Sequence, residues 1–232
     1  MILAASSCIK IQHDSLQICI MTFIEWLTNR ILQPLPGREA HQRFVPAVKD
    51  ADERLSPAPE GARLSAVLIP LIERDDQSID VVFTVRSESL RSHRGQISFP
   101  GGRLDVGENH IEAAIREARE EIGIWPESIS VVGTLSPLYI PPSNSAVTPV
   151  VACVQQPSTW TLSMDEVTEV FTRPLTVFLT DKHYTERNDI IPQLPLRIAM
   201  WDVHPTIPLW GATAMMLHEV VMLHNEYSKE HA

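Results

Sequence analysis

Gly101-Gly102-Arg103-Leu104-Asp105-Val106-Gly107-Glu108-Asn109-His110-Ile111-Glu112-Ala113-Ala114-Ile115-Arg116-Glu117-Ala118-Arg119-Glu120-Glu121-Ile122-Gly123-Ile124 is the stretch on which the reading of the chain turns. Asn109 is suited to cap a helix, with Glu112 in the reciprocal capping-box position. Gly123 stands where a helix would stop, and Pro126 follows it. At about 100° per residue, Ile111, Ala114, Ile115, Ala118 and Ile122 share one stripe of that helix. Glu117, Glu120 and Glu121 fall together on a different stripe. Glu117 and Glu121 are one turn apart, so their carboxylates can converge on one ion. Without a cation such carboxylates repel each other. A hard divalent ion turns the repulsion into ligation, and magnesium suits oxygen ligands completed by water and substrate phosphates.

The other reading of this helix is a solvated face, with Glu112–Arg116 and Arg116–Glu120 pairs at four-residue spacing. The whole string argues against it. The pattern G-x5-E-x7-R-E-φ-x-E-E-x-G-φ is met at every fixed position by Gly102, Glu108, Arg116, Glu117, Glu120, Glu121 and Gly123, with Ala118 and Ile124 in the φ positions. This resembles the Nudix box. The resemblance implies an α/β (α+β) Nudix fold, a mixed β-sheet between helices, and hydrolysis of a nucleoside diphosphate linked to a further group. It implies Glu117 and Glu121 as principal metal ligands and Glu120 as a further ligand or the base that activates water. Arg116 would orient a carboxylate, Glu108 would help through water, and Gly102 would let the backbone approach the metal closely. The implied cofactor is Mg2+ or Mn2+, which withdraws charge from the diphosphate.

Upstream runs Val82-Phe83-Thr84-Val85-Arg86-Ser87-Glu88-Ser89-Leu90-Arg91-Ser92-His93-Arg94-Gly95-Gln96-Ile97-Ser98-Phe99-Pro100. Arg86, Arg91, Arg94 and Arg103 form a local basic excess, and guanidinium matches phosphate bidentately. The bland reading is that these arginines pair with the sheet edge or the helix carboxylates, and His93 alone reads as structural. As a pattern the stretch is similar to the signature of the coenzyme A pyrophosphatase branch of Nudix proteins. Leu209-Trp210-Gly211-Ala212-Thr213-Ala214 is similar to that branch's final helix opening. The resemblance covers roughly residues 63–225. It implies cleavage of coenzyme A or acyl-CoA to 3′,5′-ADP and (acyl-)4′-phosphopantetheine, with Arg86, Arg91, His93, Arg94 and Gln96 reading the substrate. The segment 139–146 departs from the branch, lacking its glycine–aromatic pair. Rival readings are a Nudix enzyme for ADP-ribose or a dinucleotide such as NADH, and a nucleotide-binding module without catalysis. Loss of chemistry would show as broken glutamates, and all are present.

The chain has 232 residues, 44% hydrophobic and 21% charged, an ordinary globular composition. A net charge of -10 argues against a nucleic-acid grip, which needs a basic face. Cys8, Cys19 and Cys153 form no metal-binding pair and suit a reducing compartment. No apolar run approaches a membrane span, and Lys10, His13 and Asp14 interrupt any signal-like core. The expectation is a cytoplasmic monomer or homodimer acting on a small molecule.

The expected organisation is an extension over residues 1–60 and a Nudix domain over 61–228. Met21 is an expected translation start, which would make residues 1–20 a gene-model extension. An amphipathic helix is expected over 22–32, then a polar, proline-bearing lead-in lying over the domain surface at 37–61. Strands are expected at 64–72 and 79–85 as a hairpin around the turn 75–78, and at 129–135 and 147–154. A helix or turn opening is expected at 165–170, a strand at 173–178 and a Pro-interrupted hairpin at 183–201. A last helix over 211–227 carries Ala214, Leu217, Val221 and Met222 on its apolar face.

Overall fold

Thr22 opens the first element. Its hydroxyl accepts from the Glu25 N–H while the Glu25 carboxylate accepts from the Thr22 N–H, a complete capping box. The computed structural model describes residues 21–47, 51–90, 92–188 and 198–231. Residues 1–20, including Cys8 and Cys19, lie outside them.

In chain order come α1 (Phe23–Arg30), α2 (Arg38–Gln42), α3 (Ala51–Arg54), β1 (Arg63–Glu73), β2 (Ile79–Arg86), β3 (Ile97–Ser98) and β4 (Gly101–Arg103). There follow α4 (His110–Ile122), β5 (Ile129–Thr134), β6 (Leu138–Ile140), β7 (Ser145–Val154) and β8 (Val167–Pro174). The chain closes with β9 (Tyr184–Arg187), β10 (Ile198–Trp201), β11 (Leu209–Trp210) and α5 (Gly211–Glu230).

The sheet is mixed. β1 runs parallel to β7 from Arg63↔Ser145 to Leu71↔Cys153, while β5 pairs antiparallel with the far side of β7. β1 and β2 form an antiparallel hairpin only from Leu71↔Val81 to Glu73↔Ile79. Beyond that they splay, and the segment 97–103 fills the gap. β3 pairs with β2 at Thr84↔Ser98 and β4 with β1 at Ala66↔Gly102. The split matters because it carries Gly101 and Gly102 into the sheet beneath α4.

Strand alternation assigns the two faces. Ala66, Leu68, Val82, Val150 and Ala152 face α4, where Ala113, Ala114, Ala118 and Ile122 complete one core. Ile69, Leu71, Phe83, Val85 and Val151 face the other way, onto α1 and α5. Small alanines on α4 let its backbone lie close to the sheet. A separate three-stranded sheet, β11-β10-β9, leads into α5.

α5 also ties down the N-terminal segment through a buried carboxylate. Glu219 is fully buried. Its Oε1 accepts from the Gly37 N–H at 2.8 Å and the Ser136 hydroxyl at 2.6 Å. Its Oε2 accepts from the Ser136 N–H at 3.2 Å and faces His41 Nε2 at 3.4 Å. One residue earlier, His218 Nδ1 donates to the Ala40 carbonyl at 2.6 Å. The 37–61 lead-in is therefore not all surface cover: Ala40 and Phe44 are fully buried, and Phe44 packs against Trp201.

Several local expectations are corrected. The strand expected at 173–178 is β8, which begins six residues earlier and pairs with β2 from Arg86↔Val167 to Asp80↔Pro174. Leu175–Phe178 is a 3-10 turn, and of the stretch 165–170 only its start is turn. Backbone pairing with β2 decides this, against a weak local alternation in which just Val167 is buried. The connection between β5 and β7 holds a short strand, β6. On α4, Ile111 is exposed and Ala113 takes the core position, because the buried arc is centred on Ala114, Ala118 and Ile122. On α5, burial spreads around nearly the whole helix from Gly211 to Leu223, whereas Met222 is half-buried. β9 and β10 pair antiparallel from Tyr184↔Trp201 to Arg187↔Ile198, a hairpin whose connection lies outside the described residues.

Candidate active site

Asn109 caps α4 as its sequence suggests, accepting from the Ile111 and Glu112 N–H groups at 2.9 and 3.0 Å. Gly123 ends the helix in the left-handed region at φ 74°. With both ends set, the acidic side of α4 faces the β4 glycines and the turn 163–166. Glu121 is buried, only 2% exposed, although a surface stripe was the simpler expectation for an acid. It accepts a hydrogen bond from the Gly101 N–H. Its Oε2 is buried with no hydrogen-bond partner.

Glu121 does not stand alone. Glu117, Glu121 and Glu166 each bring a carboxylate oxygen within 4.8 Å of the other two. Burial is the main reason the Glu121 pKa is pushed up to about 8, with the neighbouring carboxylates adding to it and Arg86 opposing. Burial likewise raises the Glu117 pKa against the pull of Arg116. Three convergent carboxylates, one with an orphaned buried oxygen, are a costly arrangement by themselves. A hard divalent cation supplies the missing partner, so this donor set fits the metal that the sequence implies.

Glu166 was not among the residues picked out from the sequence. It sits at the end of a turn whose N–H groups bond to neighbours: Ser163 N–H to the Glu121 carbonyl at 2.9 Å and Glu166 N–H to the Ser163 carbonyl at 2.8 Å. In return the Ser87 N–H donates to the Glu166 carbonyl at 2.8 Å. The only local signal is an Asp-Glu pair before a strand, which is too common to single out.

Arg116 organises the rim. Its Nε and Nη2 donate to Glu108 at 2.9 and 3.0 Å, its Nη1 to Glu117 at 2.8 Å and Glu120 at 3.2 Å, and its Nη2 to the Arg103 carbonyl at 2.9 Å. These bonds, the Glu108 pair first, raise its pKa, so it stays charged. Glu108 spends both oxygens on Arg116 and also accepts from the Asp105 N–H, and its pKa is lowered chiefly by Arg116. Glu120 lies outside the three-carboxylate group, with its side chain 58% exposed. Glu112 caps the helix rather than pairing with Arg116.

The two glycines of β4 serve different ends. A Cβ at Gly101 would lie 2.6 Å from Val67 Cα and against the Ala66 carbonyl, which is backbone that cannot yield. A Cβ at Gly102 would meet the Glu117 carboxyl group first, its Cδ at 2.6 Å. Gly102→Ala is therefore expected to push Glu117 aside, with a fall in activity of roughly 10–100-fold and little change in Tm. Gly101→Ala is expected to destabilise the fold itself by a few kcal/mol. Thermal melts and initial rates on both variants separate the two roles. Equal effects of the two changes would show that the glycines do one job.

Beside the carboxylates opens a cavity of about 300 Å³. Arg86, His93, Gln96 and Gly101 line one side, Ile140, Pro142 and Val147 another, and Trp210 and Met216 of the α5 end a third. His93, in the left-handed region at φ 54°, bonds Gln96 through Nδ1 at 3.2 Å. Among the described residues, Arg86 is the one arginine singled out in the sequence that lines this cavity, and its Nε is buried without a hydrogen-bond partner. Arg94 is exposed and absent from the lining. Arg91 lies outside the described residues. Arg54 and Pro46, from the N-terminal lead-in, line the cavity too, and neither carries any motif signal.

The chain is similar in sequence to known Nudix proteins. The family model of the NUDIX domain matches residues 62–194. Nudix hydrolase 3 of Caenorhabditis elegans is 31% identical over 212 residues, covering 82% of this chain and 86% of that protein. The Nudix hydrolase NudL of Salmonella newport is 36% identical over 162 residues, covering 69% and 82% of the two chains. Among solved structures, the M. smegmatis Nudix hydrolase RenU superposes with a TM-score of 0.47 at 16% identity, over 72% of this chain and 88% of that one.

Proposed function

We propose that this chain, which belongs to the Nudix family, hydrolyses the diphosphate of coenzyme A or acyl-CoA to 3′,5′-ADP and (acyl-)4′-phosphopantetheine. The observation that carries the substrate assignment is the cavity wall. Arg86, His93 and Gln96, from the stretch that resembles the coenzyme A branch, line one cavity next to the carboxylate group. The rest of the wall is largely apolar, which suits a base or an aliphatic arm beside the charged diphosphate.

Glu117, Glu121 and Glu166 would hold the cation, Mg2+ or Mn2+, which withdraws charge from the diphosphate oxygens. Arg86, which lines the cavity and acts on the Glu121 carboxylate, would bind a phosphate oxygen by a charge-assisted bond. Glu120 is solvent-exposed on the same helix face and close enough to Glu117 to raise its pKa. That makes it the candidate base that takes the proton from the attacking water as the P–O bond to the leaving phosphate breaks. Arg116 and Glu108 act through others: Glu108 fixes Arg116, and Arg116 fixes Glu117.

Product analysis by chromatography tests the proposal, with the purified chain, magnesium, and a panel of coenzyme A, acetyl-CoA, ADP-ribose and NADH. The expected result is release of 3′,5′-ADP from coenzyme A at least ~10-fold more efficiently than cleavage of ADP-ribose or NADH. Preferential cleavage of either of those would keep the metal site and reject the coenzyme A assignment. No cleavage by folded, metal-supplied protein would favour a nucleotide-binding module.

A further inference from the structure

The cavity beside the carboxylates has two unlike ends, and sheet pairing sets their order. β6 pairs with β7, β7 with β1 and β1 with β4, so the lining residues Ile140, Val147, Val67 and Gly101 follow one another across the strands. Gly101 marks the carboxylate end, where its N–H donates to Glu121. Arg86, His93 and Gln96, the charged and polar part of the wall, come from β2 and the loop that follows it. Ile140 lies three strand spacings from Gly101, about 14 Å.

Strand alternation fixes which way these side chains point. Leu138 and Val147 are partners in the β6–β7 register and lie on one face, and Ile140, two residues beyond Leu138, shares it. Leu138, Val147 and Met216 belong to the core on that face, and Val67 and Ile140 pack against it. Met216 lines the cavity from α5, and Pro142 adds its ring from the turn after β6. The side chains of Ile140, Pro142, Val147 and Val67 carry no hydrogen-bonding group, and the Met216 thioether is only a weak acceptor. Arg54, which also lines the cavity, is already engaged within the protein.

A nucleobase against this wall would leave its ring nitrogens and amino group without side-chain partners, which is costly. An aliphatic chain suits it, and each methylene buried there strengthens binding roughly 4-fold. The pantetheine arm between the diphosphate and the thioester matches about four residues of extended chain in length, enough to cross the same three strands. Building on the function proposed above, we infer that Ile140, Val147 and Met216 form the acyl end of the substrate site, with Ile140 setting the chain length accepted. The diphosphate lies at the Arg86 and carboxylate end, the arm crosses the strands, and the acyl group rests on Ile140. Short-chain acyl-CoA is then a better substrate than coenzyme A itself.

Initial rates with Mg2+ on coenzyme A and its acetyl, butanoyl, hexanoyl and octanoyl thioesters test this. The proteins are the wild type, Ile140→Phe and Ile140→Ala, each with its Tm measured. In the wild type kcat/KM should rise at least ~10-fold from coenzyme A to butanoyl-CoA and then level off. Ile140→Phe should cut the butanoyl-to-coenzyme A ratio at least ~5-fold, and Ile140→Ala should move the best substrate to a longer chain. The two changes act in opposite directions, so either variant that folds decides the matter. A flat series in the wild type overturns the inference, and so does a chain-length profile that the variants leave unchanged. Product inhibition adds a second readout. Variants that weaken inhibition by 3′,5′-ADP but not by butanoyl-4′-phosphopantetheine would place the base at this end and overturn the inference too. Failure of the coenzyme A assignment looks different, because ADP-ribose or NADH is then cleaved in preference to every thioester, and this inference falls with it. Failure of this inference alone leaves coenzyme A cleaved equally well whatever chain it carries.

Discussion

Glu121→Gln is expected to abolish turnover and at the same time to stabilise the metal-free protein. Loss of the proposed principal cation ligand should lower the rate by at least roughly three orders of magnitude. The stability effect has the opposite sign because the native carboxylate is buried, has an orphaned oxygen and faces two more carboxylates. Glutamine keeps the shape and the acceptor for the Gly101 N–H, and its amide can donate to Glu117 or Glu166.

The pH dependence follows from the raised pKa. Folding lifts Glu121 from its ordinary 4.5 to about 8. Between those values the folded metal-free chain holds more protons than the unfolded one, so its stability falls as pH rises through that window. A divalent cation competes with the proton, so the Tm gain on adding Mg2+ or Mn2+ should be larger at the alkaline end. In Glu121→Gln both the alkaline loss and most of the metal-induced gain should shrink. Melts across this window, with metal and with chelator, provide the measurement. A variant that is less stable than the parent at the alkaline end, or that keeps its activity, would sink the assignment of Glu121.

Glu219→Ala should have the largest effect on stability alone. Its removal strands the Gly37 N–H and the Ser136 N–H and hydroxyl in a buried site, and takes the acid away from His41. Leaving such groups unpaired costs about 3–4 kcal/mol, a fall in Tm of roughly 6–16 °C for a chain of this size. Burial alone would raise the Glu219 pKa, but the bonds from His41 and Ser136 outweigh it and hold the pKa below its ordinary value. Its stabilisation is therefore present above that ordinary value and lost as pH falls through the depressed one, so the variant's deficit should narrow in acid. Hydrogen exchange should show α2 loosening first, since this carboxylate joins Gly37 and His41, at the start of and within α2, to α5. A loss below about 1 kcal/mol would mean that the surrounding packing, not the network, holds the segment.

The two glutamates show how far residue type alone can be read. Both are buried acids on helices, yet Glu219 has its oxygens filled by donors and Glu121 has one left over. Only the box spacing around Glu121 marked it in advance. No pattern marked Glu219, whose partners lie 178 to 182 and 83 positions away in the chain.

The amino-acid sequence by itself determined α4, its caps and the convergence of Glu117 with Glu121, because capping and one-turn spacing are local geometry that any helix enforces. It determined the family by the same fixed spacing, and the strands whose alternation is strong. Tertiary structure alone decided that Glu166 joins the carboxylates, that β8 starts at Val167, that Arg54 lines the cavity and Arg94 does not, and that Gly101 and Gly102 lie in a split between β1 and β2. Each of these depends on which distant backbone a residue meets, and that is set by sheet pairing and packing across the whole fold, which leave no periodic trace in the neighbouring residues.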